Sequence, residues 1–224
     1  MRRLALTLGF WLVSASPTTL AQTGPVELVT GITTTLAAAL KSEQAALAGE
    51  RGLGVAREII QRDVAPHLDF ATITREAVGN RWASATGAQR LALEREFRQL
   101  LVHVLARLLL TNRDDVLEAQ PLTLAPGATS AVVRVAVTRQ RAAGNQPGEP
   151  MRITLRLGDA GWKVHEVRSE GVDIFKLYGS NFAVVLERNG EIEGLVRALS
   201  ERNALNAASI APKPRPQPAI TPGN

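Results

Sequence analysis

Three histidines, His67, His103 and His165, are the side chains of this sequence best suited to moving protons at neutral pH. None is followed at i+4 by another ligand, and the chain has no Cys, which argues against a zinc cluster and excludes a thiol nucleophile and a disulfide. His165 is followed by Glu166 in a segment that reads as a strand; adjacent strand residues point to opposite faces, so the two are not expected to form a dyad. His103 falls beside the apolar face of a long helix and reads as a packing residue. Asp114-Asp115 follows a helix end and reads as solvated. Glu191 and Glu193 open a helix, where negative charge suits the macrodipole. The chain contains no G-x-S-x-G elbow, phosphate loop or dinucleotide fingerprint. No residue is nominated as catalytic, the chain is read as a non-enzyme, and neither a cofactor nor a metal is expected.

What the sequence offers in place of reactive groups is apolar surface on regular elements. Leu28, Val29, Ile32, Leu36 and Leu40 share one helical face after Gly24-Pro25, and Val55, Ile59, Ile60 and Val64 form a second stripe over 53–65, ended by Pro66. Asp69 suits the N-cap of a short helix to Val78, with Gly79 as its stop. Thr86-Gly-Ala-Gln89 has capping-box spacing and announces the longest helix, to about Leu110. Phe97, Leu100, Leu101, Val104, Leu105 and Leu108 give that helix a wide apolar face, and its nearly all-apolar end must be buried or line something apolar.

The period then changes to two. Ala131, Val133, Val135 and Val137 alternate with Val132, Arg134, Ala136 and Thr138, and Ile153, Leu155 and Leu157 with Arg152, Thr154 and Arg156. A third strand spans Trp162 to Arg168, an edge strand lies within 116–124 with Pro121 limiting it, and Ala142 to Pro150 reads as a hairpin loop. Helices return over 174–187 and 191–203, separated by Asn189-Gly190. The expected class is α+β: a curved antiparallel sheet of about four strands, helices on its apolar face, and a hydrophobic pocket enclosed between them. Arg134, Arg152 and Arg156 fall on the polar strand face and read as its solvated side, with attraction of an anionic group as the alternative.

Residues 1–21 read as a cleavable signal peptide: Arg2-Arg3, ten apolar residues from Leu4 to Val13, then small residues up to Ala21. The apolar stretch is half the length of a membrane span. One domain is expected over 22–205, and residues 206–224, with five prolines from Pro212 to Pro222, read as a disordered tail. Without Arg2 and Arg3, 24 basic residues face 21 acidic ones and are interspersed with them, which argues against nucleic-acid binding.

Two blocks of motifs carry a family resemblance. The first is Val64-Ala-Pro-His-Leu-Asp-Phe70, Ala77-Val-Gly-Asn-Arg-Trp82 and the helix opened by Gln89-Arg90. The second is Gly161-Trp-Lys-Val-His-Glu-Val167, Glu170-Gly-Val172 and Tyr178 to Phe182. In order and spacing, over Val64 to Asn203, they resemble the MlaC, or toluene-tolerance, family. The resemblance implies a periplasmic carrier, a monomer, that moves phospholipid between an outer-membrane lipoprotein complex and an inner-membrane ABC-transporter complex, with the acyl tails in a deep apolar pocket. It also implies a structural role for Trp82, and it matches Phe70, Trp162, Val164, Tyr178 and Phe182 to the family's motif positions. The sequence departs from the family at Asp173, often Ser, and at Gly179, often Arg. Relatives linked to hopanoids leave a different lipid open as the cargo. The same residues are also compatible with an adaptor, or with an enzyme on a similar curved sheet. The residues expected to touch lipid are Leu101, Val104, Leu105, Leu108, Val133, Val135, Ile153, Leu155, Val164, Val172, Ile174 and Tyr178.

Overall fold

The structure, a computed structural model, describes residues 23–141, 144–189 and 191–210. The signal sequence read at 1–21 and the prolines of the tail lie outside them. α1 (Pro25–Ser42) starts on a proline, which costs nothing in a first turn where the N–H has no helical acceptor. α2 (Gln44–Ala48) and α3 (Gly52–Ile59) follow. The stripe expected to run on to Ala65 does so with a change of pitch: Ile60–Val64 is a π-turn and Ala65–His67 a 3₁₀ turn that accommodates Pro66. α4 (Phe70–Val78) is capped by Asp69, whose Oδ1 accepts the Thr72 N–H at 3.0 Å, and it stops at Gly79 with φ +63°. α5 (Gly87–Thr111) carries the full capping box: Thr86 accepts from the Gln89 N–H, and the Gln89 side chain accepts from the Thr86 N–H.

Among the described residues, six strands form one antiparallel sheet in the order β1-β2-β4-β5-β6: β1 (Val116–Ala119), β2 (Ser130–Arg141), β3 (Gly144–Pro147), β4 (Met151–Gly158), β5 (Gly161–Ser169) and β6 (Val172–Asp173), with β3 off that path on β2. The alternation pattern predicts about four. The larger number has two local causes. The segment read as a hairpin loop contains β3, which pairs with the end of β2, Thr138 opposite Pro147; after a one-residue slip the same edge of β2 is taken up by β4, Val135 opposite Met151. Gly148 occupies the slip, and its backbone lies so close to Val137 that a Cβ there would meet Val137 Cγ1 at 3.0 Å. β6 is only two residues long, too short for any periodicity.

β5 contains a second irregularity. Thr154 pairs with Glu166 and Leu155 with Val164, so His165 is an extra residue with no partner across the ladder. The bulge lets Trp162, Val164 and Val167 all share the apolar face, a parity that strict alternation from Trp162 would have broken.

α6 (Lys176–Asn189) and α7 (Ile192–Ala208) close the chain; α7 extends through Ala208, three residues into the stretch read as tail. α5 packs against α3 and α7, α4 against α6, and α1 lies over β1 and β2. The buried apolar residues of all these elements form one cluster. α7 is pinned to α5 by a buried polar contact: Asn203 Nδ2 donates to the Glu96 carbonyl at 2.9 Å and to Glu96 Oε2 at 3.0 Å. Asn203→Ala leaves the buried Glu96 carboxylate with Arg95 alone and should destabilise the fold by about 2–4 kcal/mol. Urea unfolding with an unchanged midpoint would show the contact to be energetically idle.

Candidate functional site

The twelve residues expected to meet lipid divide by depth. Leu101, Val133, Val135, Leu155 and Val164 are sealed, with exposures of 0–2%. Val104, Leu105, Ile153, Ile174 and Tyr178 are half-buried and pack on the same core. Leu108 and Val172 stand in solvent, at 40% and 48% exposure.

The half-buried residues are arranged in a row by strand pairing. Val135 lies opposite Met151 and Ile153 opposite Val167, and Ile174 donates its N–H to the Val167 carbonyl at 2.9 Å. Each is at least partly water-reachable except Val135, which begins the sealed zone. The face of the sheet is thus apolar throughout but graded from open to closed. The second half of α5 repeats the gradient, from buried Leu101 through half-buried Val104 and Leu105 to exposed Leu108. Met151 and Val167 belong to this surface and were not among the twelve. Val167 could not have been found by alternation, because the His165 bulge resets the parity of β5.

Phe97 of α5 makes edge contacts with Phe182 and Tyr178 of α6, at 4.8 and 5.5 Å between ring centres. Tyr178 is half-buried, and burial raises the pKa of its phenol. Phe70 is buried with Arg98 over its ring, and half-buried Trp82 carries Arg90. These rings anchor helices to one another.

Two concavities are lined by none of the twelve. A cavity of about 60 Å³ lies between α4, α6 and β5, bordered by Glu76, His165, Asp173, Lys176 and Gly179. An open groove of about 480 Å³ runs along α5 and α7, past Ala92 and Val196. His165 and Glu166 form no dyad, as expected from the strand reading. The bulge sets His165 and Glu166 beside a common neighbour: Lys176 borders the cavity with His165 and lies 3.7 Å from Glu166. Among the described residues neither ring nitrogen of His165 has a hydrogen-bond partner, and Glu166 is engaged by Thr154 and Arg168. Among the described residues no cluster of three or more His, Asp or Glu has the geometry to hold a metal ion, and no helix is long and apolar enough to cross a membrane.

Burial pushes the imidazoles of His103, His165 and His67 below their ordinary 6.5; nearby cations, Arg107 and Arg57, Arg156, and Lys163 respectively, push the same way. Because the folded-state values are lowered, the unfolded chain binds more protons just below pH 6.5. The histidine contribution is therefore complete above that pH and is lost as the pH falls. The melting temperature should drop between about pH 6.5 and 5, where ordinary carboxylates remain ionised. His103→Leu and His165→Leu should each flatten the slope. A wild-type melting temperature that is level over this range would contradict the assignment.

The comparisons with known proteins bear on the family and the fold. A family model described as MlaC protein matches residues 31–201. A solved phospholipid-binding protein from Ralstonia solanacearum, in complex with a phospholipid, is 27% identical; the alignment covers 80% of this chain and 97% of that one, with a TM-score of 0.67. Among curated proteins nothing matches. The chain, with its helix-backed antiparallel sheet and the motifs on it, belongs to the MlaC family.

Proposed function

We propose that this protein is a periplasmic phospholipid carrier, not an enzyme. It would hold the acyl tails between the apolar sheet face and α5 and pass lipid between an outer-membrane lipoprotein complex and an inner-membrane ABC-transporter complex. The observation that carries the reading is the graded apolar face: a row of half-buried aliphatic residues, led by Ile153 and Val167, continuous with a sealed interior. The likeness to a phospholipid-bound protein supports it.

The physics sets what such a surface must do. A two-chain phospholipid has about 30 methylenes, and moving them into water costs about 25 kcal/mol at about 0.8 kcal/mol each. A carrier has to replace that with aliphatic contact on at least two sides. α5 supplies one wall through Val104, Leu105 and Leu108. The sheet supplies the other through Val133, Val135, Ile153, Leu155 and Val164, with Ile174, Tyr178 and Val172 at the α6 side. Leu101, Val133, Leu155 and Val164 are packed tightly enough to exclude water, so in this reading the tails enter by parting α5 from the sheet, and the core contacts are exchanged for lipid contacts of the same kind. Exchange of that kind changes apolar area little, which keeps it reversible, and burial without direction makes tail recognition loose.

Protein purified from a bacterial host should carry about one phospholipid per chain by native mass spectrometry. Ile153→Asp places a charge in the half-open row, where burying it with a tail is costly; it should reduce retained lipid at least about tenfold while leaving far-ultraviolet circular dichroism unchanged. Wild-type protein that stays lipid-free after incubation with vesicles would refute the carrier reading.

A further inference from the structure

The solvent-facing side of the sheet carries a pattern that the ladder makes costly. Arg134 of β2 lies directly opposite Arg152 of β4, and Arg152 lies directly opposite Arg168 of β5. Three arginines thus stand shoulder to shoulder across three strands, about 10 Å from first to last at the usual strand spacing. Further along β4, Arg156 faces Lys163. Like charges directly opposed on one face destabilise a sheet. The acids nearby relieve only the Arg168 end of the row. Glu166 lies 3.2 Å from Arg168 and is shared with Lys176, Asp173 is held by Lys176, and Glu76 of α4 pairs with Arg156. Glu118 stands on β1 opposite Ala136 and makes no ion pair among the described residues. Arg134 and Arg152 are exposed, and their side chains have neither a hydrogen bond nor an ion pair among the described residues.

We propose that this arginine row is a docking surface for the anionic face of a phospholipid bilayer. The charge is complementary. The side chains rise from an open pleated surface on the side opposite the apolar row, with exposed Val132 beside Arg134. Lipid phosphates move laterally to meet guanidinium groups, so a bilayer needs no shaped recess, whereas an acidic protein face would have to match the fixed spacing. Arg suits this partner because its planar fork takes a phosphate in two hydrogen bonds. Docking through this face leaves the apolar side of the sheet and α5 free to part.

The docking goes beyond the carrier reading, and one set of measurements separates the two. Full-length protein is sedimented with vesicles of equal phosphatidylglycerol and phosphatidylcholine, or of phosphatidylcholine alone, at about 50 and about 300 mM salt, where the screening length shortens more than twofold. Wild type should pellet at least about tenfold more with the anionic vesicles at low salt and be released at high salt. R134Q/R152Q should lose most of that binding yet keep its host-derived phospholipid by mass spectrometry. R152Q alone should melt about 1–3 °C higher, because it removes the middle of a like-charge row. Any of four results would overturn the proposal: no preference for anionic vesicles, unchanged binding of R134Q/R152Q, a lower melting temperature for R152Q, or binding to polyglutamate with none to vesicles. Absence of lipid in wild type with vesicle binding intact would count against the carrier reading alone.

Discussion

The extra residue in β5 governs how the two faces of this sheet are divided. Up to Val164 the strand follows simple alternation, with Trp162 and Val164 inward and Lys163 outward. Without the bulge, Glu166 and Arg168 would point into the apolar layer and Val167 into solvent. Inserting His165 outside the ladder reverses that parity. Val167 joins Ile153 and Ile174 on the apolar side, and Arg168 comes to lie opposite Arg152 on the other. Burying an uncompensated carboxylate and a guanidinium would cost several kcal/mol, far more than one lost ladder contact. The bulge itself leaves an imidazole with both nitrogens unpartnered among the described residues, at the edge of a small cavity where desolvation favours its neutral form.

From that division the rest of the architecture follows. The apolar face needs a cover, and the helices supply it unevenly. Beneath Leu101 and the centre of β2 the packing excludes water; toward Met151, Ile153 and the end of α5 it does not. A fully sealed core would have no reason to stop halfway along both a helix and a sheet, and a scattered set of exposed residues would not fall in register across adjacent strands. The gradient is the feature on which the proposed carrier reading rests. The helices stay associated through contacts away from that path: the Phe97–Tyr178–Phe182 cluster joins α5 to α6, and Asn203 with Glu96 joins α5 to α7. The outer face, freed from packing, tolerates a like-charge row that stability alone would select against.

Much of this was legible in the amino-acid order wherever local rules decide. The capping box at Thr86–Gln89, the Asp69 cap with its Gly79 stop, and the alternation in β2 and β4 depend on residues a few positions apart, and each element formed where those residues placed it. The motif series from Val64 to Asn203 carries the resemblance to the MlaC family that the family match over residues 31–201 shows. Register was not legible. Neither bulge has a sequence signature strong enough to place it, so the parity of Val167, the pairing of β3, the neighbours of His165 and the opposition of Arg134, Arg152 and Arg168 were decided only when distant strands met. Burial depth was likewise a tertiary matter: Leu101 and Leu108 are the same residue type on one amphipathic helix, and only the end of the cover over them makes one sealed and the other wet. Local chemistry sets which face of an element is apolar, whereas the contacts between elements set how much of that face water can reach.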